Sequence, residues 1–241
     1  GLIMFGNDSN YNDESIAAYA QKAYDLLQAN PKMSTFAVHT PTMTDSSTGL
    51  PTLNGEIFGK YLNAIVDVAL ASYDAKTQTG FDLMSYAICT VSIIDEPDLN
   101  NTLNRVPGVA AQFEGAISGA KAYLETQAAA KGVSDAFVQE IETSLDNFPL
   151  IVSLTTTWTP DEETQSIITA CPLISLYDSA SQREVYAQMD QRWIYTCNQP
   201  HSPYPTYHID DTLVSARSLS WMMSEYDITG NFYWAADLYQ Q

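Results

Sequence analysis

The sequence predicts an α/β protein built around a parallel sheet, and three observations carry that reading. Short apolar runs alternate with amphipathic stretches along the whole chain, the rhythm of repeated strand–helix units. One run, Ile88-Cys89-Thr90-Val91-Ser92-Ile93-Ile94, is almost continuously apolar or β-branched, as strands covered on both faces are. No shift in composition and no Gly/Ser-rich linker divides the chain, so a single domain over residues 1–241 is expected.

Each element has its own justification. Leu2 to Phe5 reads as a short first strand. Asn12 to Ala29 predicts a helix, because Ile16, Ala20, Ala23, Tyr24 and Leu27 share one helical face. Phe36 to Thr40 is the next strand, and Pro41 to Gly55, rich in Thr, Ser, Asp and Gly, reads as a loop. Phe58, Leu62, Ile65 and Ala69 mark a second helix by their spacing. Beyond the strand at 88–94, Phe113, Ile117, Ala120 and Leu124 stripe a helix that stops at Gly132. Ser134 opens another, carrying Phe137, Ile141 and Leu145.

Leu150 to Thr156 is a strand, and Thr159-Pro160-Asp161-Glu162 has the form of a capping box with proline in the first turn. Pro172 to Tyr177 is expected as a strand, with Ser181-Gln182-Arg183-Glu184 opening the helix after it. Arg192 to Cys197 is a strand, followed by an aromatic and proline-rich loop from Asn198 to Asp210. A helix over Asp211 to Tyr226 and a strand over Asn231 to Ala236 complete the series.

About seven strands in this alternation fit an open doubly wound sheet or a (β/α)8 TIM-like barrel. Acidic and aromatic residues follow nearly every strand, as in a ring of βα loops facing one pocket, and this favours the barrel. A barrel needs eight strands, so its first is expected upstream of Gly1, in a chain trimmed at both ends.

Charge and cysteine usage narrow the partners. Ten Lys and Arg stand against 29 Asp and Glu, a net charge of −19. That balance disfavours nucleic acid and anionic membrane surfaces, both held chiefly by basic side chains. No apolar run approaches the ~20 residues of a membrane span. Gly1-Leu2-Ile3-Met4-Phe5 lacks the basic start and apolar region of a signal peptide. Cys89, Cys171 and Cys197 are expected as free thiols, and without a CxxC pair no metal site is predicted. No Gly-rich phosphate loop is present, so no cofactor is expected. His201 and His208 lie in a polar loop and read as solvated or bonded to backbone.

The chemistry is expected where strands end. Asp95, Glu96, Pro97 and Asp98 close the run at 88–94. Two readings stand: a catalytic acid pair at the carboxyl end of a core strand, or a cap on a turn with proline near its start. His39 ends another strand, Trp158 follows one, and then come Tyr177 with Asp178, Trp193 with Tyr195 and Asn198, and Trp234 with Asp237 and Tyr239. Aromatic faces beside carboxylates and amides suit a sugar, through stacking and hydrogen bonds to hydroxyls. The alternative for Trp158, Trp193, Trp221 and Trp234 is core and helix packing.

Spacing restricts the mechanism further. Retaining glycosidases of the ordinary kind place carboxylates about 5–5.5 Å apart across the sugar, and inverting ones about 6.5–9.5 Å. Backbone neighbours can hardly flank an anomeric carbon from both faces. Vicinal Asp95 and Glu96 suit another division, in which Glu96 protonates the leaving oxygen and Asp95 orients a nucleophile carried by the substrate, such as a 2-acetamido group.

A family resemblance adds to this. The Asp95-Glu96-Pro97 run, Trp193 through Pro200, Pro203-Tyr204-Pro205 with Ile209-Asp210, Arg217 through Trp221, and Gly230-Asn231-Phe232-Tyr233-Trp234 occur in that order. Together, over roughly Phe81 to Tyr239, they resemble the catalytic barrel of glycoside hydrolase family 123. The resemblance implies a TIM-like barrel and retaining β-N-acetylgalactosaminidase activity by substrate assistance. Asp95 would orient the acetamido group and Glu96 would be the acid/base. Carbohydrate with terminal N-acetylhexosamine would be the partner, and an extracellular, periplasmic or cell-surface location would follow. Family members usually carry a β-sandwich before the barrel, and none is visible in this sequence.

Two rival readings remain at this point. One is a non-catalytic glycan-binding barrel of a larger surface or secreted protein. The other is a two-carboxylate glycosidase pairing Glu96 with Asp178 or Asp237, which would not distinguish N-acetyl from plain hexosides.

Overall fold

Parallel strands and amphipathic helices alternate through the computed structural model, which describes residues 2–3, 11–156, 162–189 and 191–233. The protein is mixed α/β with a parallel sheet that does not close on itself among the described residues. Two compact units make up the chain: Gly1–Val91 with Pro107–Leu150, and Ser92–Val106 with Ile151–Gln241.

The first unit runs through β1 (Leu2–Ile3), α1 (Asp13–Ala29), β2 (Thr35–Ala37), β3 (Thr42–Thr44), β4 (Pro51–Leu53), α2 (Gly55–Ala71) and β5 (Ala87–Thr90). It also holds nearly all of α3 (Val106–Lys131) and α4 (Asp135–Asp146). β2 pairs in parallel with both β1 and β5, with Phe36 beside Ile3 and Ala87. Helix α1 starts where the sequence predicts, because the Asn12 carboxamide oxygen accepts from the Ser15 N–H at 2.8 Å. Its buried face is Ile16, Ala20, Ala23 and Leu27, and it packs against α2. Asn54 caps α2 in the same way, accepting from the Ile57 N–H at 3.2 Å. Fully buried Phe58 then stacks into a cluster with Phe113 and Phe148, ring centroids 5.3–6.3 Å apart. Gly132, with φ +65°, follows the end of α3 in the left-handed conformation that glycine favours.

The second unit contains the segment 92–106 and then all but the first residue of β6 (Leu150–Leu154), α5 (Glu162–Ile167), β7 (Ile168–Pro172), α6 (Ala180–Tyr186), β8 (Trp193–Thr196), α7 (Ser215–Glu225) and β9 (Gly230–Tyr233). β6 lies beside β7. A parallel bridge joins Leu173 to Tyr195, and β8 pairs in parallel with β9 from Trp193–Gly230 to Thr196–Tyr233. Strand order within each unit therefore follows chain order without the reversal of a doubly wound sheet.

Four expectations are corrected. The predicted loop at 41–55 holds an antiparallel hairpin, with Thr42 opposite Leu53. All three β3 residues are exposed, so no apolar alternation announces the strand. The expected strand over 88–94 stops at Thr90 and gives way to a 3₁₀ turn at Ser92–Ile94. The acid pair thus follows that turn and not the strand itself. The strand expected at Pro172–Tyr177 lies upstream at Ile168–Pro172, and Ile174–Asp178 is a 3₁₀ helix. Helix α7 begins at Ser215 and not at Asp211. The capping box at Thr159–Glu162 falls on residues outside the description, apart from Glu162, the first residue of α5.

Candidate functional site

The segment carrying the acid pair folds back on itself before anything else touches it. Asp95 N–H closes the 3₁₀ turn onto the Ser92 carbonyl at 3.4 Å. Glu96 then takes φ +43°, a left-handed conformation uncommon for a residue with a side chain and frequent at functional turns. Its carbonyl accepts from the Leu99 and Asn100 N–H groups at 3.0 and 2.9 Å. The Asn100 side-chain amide returns to the Asp95 carbonyl at 2.9 Å, and Arg105 Nη1 donates to the Ile93 carbonyl at 3.3 Å. Asp95 is exposed, Glu96 half-buried and Pro97 buried.

Strand β6 holds this turn from one side. Ser153 Oγ donates to Asp95 Oδ1 at 2.6 Å and accepts from the Glu96 N–H at 3.0 Å. Two residues on, the Thr155 N–H and Oγ1 donate to Asp98 Oδ2 at 2.9 and 3.1 Å, and the Thr156 N–H donates to the same oxygen. Strand β8 contributes Tyr195, whose buried hydroxyl donates to Glu96 Oε1 at 2.6 Å. Each acid of the pair is thus fixed by a different hydroxyl, Asp95 by Ser153 and Glu96 by Tyr195.

Burial sets the protonation of the surrounding groups. Burial first, and then the hydrogen bond to Glu96 and its charge, push the Tyr195 hydroxyl far above the usual phenol range. The group therefore remains a donor at neutral pH. Burial, with a smaller push from the Asp95 charge, keeps Cys171 a thiol. Tyr186 is raised to about 12, by burial and then by the Asp98 charge. Burial raises Tyr177 as well.

Among the residues predicted from sequence, the structure joins Tyr195 to Glu96 and does not leave it as an open stacking face. Tyr177 is 4% exposed, with its ring 5.4 Å from Tyr186 and 5.6 Å from Tyr226. Asp178 is exposed and accepts from the Tyr204 hydroxyl at 3.3 Å. Trp193 is half-buried across Gly230, where an added Cβ would lie 2.1 Å from the indole. Asn198 is exposed. His39 belongs to the first unit, half-buried beside Tyr11 and Tyr61. Trp158, Trp234, Asp237 and Tyr239 lie outside the described residues.

Sequence reasoning missed Ser153, Thr155 and the part played by Asp98. The available signal was the single polar residue inside Leu150-Ile151-Val152-Ser153-Leu154, whose period places Ser153 and Thr155 on one face. A cavity of about 380 Å³ in the second unit is lined by Tyr177, Arg183, Arg192 and Tyr226 among others, and the acid pair is not part of its wall. No group of three or more His, Cys, Asp or Glu among the described residues could hold a metal ion, and no described helix is long and apolar enough to cross a membrane.

Comparison with models of protein families and with curated proteins finds no match to this chain.

Proposed function

We propose that this chain is a retaining glycoside hydrolase acting on terminal β-linked N-acetylhexosamine, N-acetylgalactosamine in preference, with assistance from the 2-acetamido group. The observation that carries the reading is that two backbone neighbours, Asp95 and Glu96, are each gripped by a separate hydroxyl at 2.6 Å. A cap on a turn needs one such bond. Two fixed carboxylates of unequal exposure suit two distinct tasks.

In the mechanism, Glu96 as the acid gives its proton to the glycosidic oxygen while the acetamido carbonyl oxygen attacks C1. Asp95 accepts from the acetamido N–H and steadies the positive charge of the oxazolinium that forms. Glu96 then takes a proton from water as that water opens the ring at C1, which restores the enzyme and retains configuration. Tyr195 and Ser153 keep the carboxylates in place throughout. The reading includes a TIM-like barrel, supported by strand order that follows chain order within each unit. It also includes a carbohydrate partner, no cofactor, and the extracellular, periplasmic or cell-surface location that goes with the family resemblance.

The test is calorimetric binding of N-acetylgalactosamine thiazoline, a mimic of the cyclised intermediate, together with turnover of an aryl N-acetyl-β-galactosaminide. Tight binding lost in Asp95→Asn, and turnover lowered roughly 10²–10⁴-fold in Glu96→Gln, are the expected results. Near-normal turnover in Glu96→Gln sinks the assignment of the acid. Saturable sugar binding without hydrolysis, unaffected by Glu96→Gln, replaces the enzyme with a glycan-binding protein.

A further inference from the structure

Asp98 is the third carboxylate of the segment, and it is bonded more heavily than either member of the pair. Its Oδ2 accepts three bonds from the two residues just past β6: Thr155 N–H at 2.9 Å, Thr155 Oγ1 at 3.1 Å and Thr156 N–H. Three donors on one oxygen are far more than a solvated surface carboxylate collects. The bonds also have a direction. The same strand end reaches the pair through Ser153, at Asp95 Oδ1 and at the Glu96 N–H. The turn is therefore pinned to β6 at two points, Ser153 at its start and Thr155–Thr156 three residues later. With one pin the turn can pivot about Ser153; with two, the Glu96 side chain has a fixed origin.

A fixed origin matters here because Glu96 sits in the left-handed region, a conformation that persists only when its surroundings over-determine it. Tyr195 steadies the far end of the Glu96 side chain at Oε1, but it cannot set the backbone from which that side chain springs. Oδ1 of Asp98 is buried without a hydrogen-bond partner, so the second pin is made by Oδ2 alone.

We propose that Asp98 is a positioning residue, locking the Asp95–Glu96 turn to the end of β6 so that the acid meets the glycosidic oxygen. The proposal rests on the hydrolase reading above. Asp98 touches no substrate; it acts through Glu96.

The experiment compares wild type, Asp98→Ala and Asp98→Asn in kcat and KM on an aryl N-acetyl-β-galactosaminide, alongside amide hydrogen exchange of the free proteins. Asp98→Ala is expected to lower kcat about 10- to 100-fold, the scale of a 1 Å misplacement, with KM changed less than about twofold. Asp98→Asn, whose amide oxygen can accept the same three bonds, is expected to recover most of that loss, and it covers the case in which the alanine variant folds poorly. In Asp98→Ala the Glu96 amide, which bonds Ser153 and not Asp98, should exchange faster. A role confined to Thr155 and Thr156 would leave that amide unchanged. Unaltered kcat in the alanine variant, or an asparagine variant as slow as the alanine one, overturns the proposal. Wild type that turns over nothing overturns the hydrolase reading instead. Glu96 exchange then still decides whether Asp98 positions the turn, and an unchanged rate there overturns that as well.

Discussion

The two units differ in how hydroxyl–carboxylate bonds are grouped: in the first, Ser144–Asp82 and Tyr123–Asp67 lie apart from one another, and in the second, Ser153–Asp95 and Tyr195–Glu96 gather on one turn. The first is organised by rings and methyls: Phe58, Phe113 and Phe148 stack on one another, and Asn12 and Asn54 start the two helices that pack together. The second buries phenols close to carboxylates, with Tyr195 on Glu96 and Tyr186 in the field of Asp98. Apolar burial is non-directional and tolerates small shifts, whereas a hydrogen bond fixes a particular atom to a particular atom. The contrast teaches where precision resides. Reacting groups need the second kind of interior, and a stable scaffold can be made from the first.

The ring cluster on the apolar side carries the largest expected effect. Phe58→Ala should cost about 3–5 kcal/mol, from lost burial plus the cavity left in the ring cluster. Urea unfolding measures this, and a loss below about 1 kcal/mol would mean the cluster is not what holds the first unit. On the polar side, Tyr195→Phe removes one hydroxyl and little volume. On the proposed reading it should lower turnover about tenfold, equivalent to roughly 1.4 kcal/mol, while unfolding midpoints move little.

The alkaline limb sharpens the same contrast. Tyr186 is raised to about 12 in the fold and titrates near 10 when unfolded. Above about pH 10 the unfolded chain releases that proton and the folded chain keeps it, so the folded state binds more protons. The contribution is full below pH 10 and is lost as pH climbs toward 12. Tyr177 and Tyr195 shift in the same direction. Stability measured at pH 8 and pH 11 should therefore fall, and Tyr186→Phe should flatten the fall. An unchanged slope would show that the phenol is not buried as described. The smallest effect is at a helix start: Asn12→Ala should cost about 1 kcal/mol by removing the Ser15 cap, read as a small shift in the urea midpoint.

Helices were the legible part of the fold. Ile16, Ala20, Ala23 and Leu27 recur at helical spacing behind a capping asparagine, and both signals are local. Strand ends were not legible. From Ile167 to Leu176 the chain is apolar with few interruptions, and a pattern of this kind does not say that β7 stops at Pro172. The β3–β4 hairpin left no trace because its first strand faces solvent throughout. At the site, the acidic pair stood out by composition. Its partners did not, because Ser153 and Thr155 lie 58 and 57 residues from the carboxylates they bond. Tyr195 lies 99 residues from Glu96. Such pairs exist only once the strands that carry Ser153 and Tyr195 have come up to the turn.

The indole of Trp193 on the bare backbone of Gly230 carries a consequence for sequence variation. The two positions share one volume, so they cannot drift independently. A chain of this fold can acquire a side chain at 230 only when 193 has already given up its large ring. Among descendants of this sequence, change should therefore come first on β8 and only afterwards on β9, and a library that randomises the two together should return bulky residues at one position or the other but never at both.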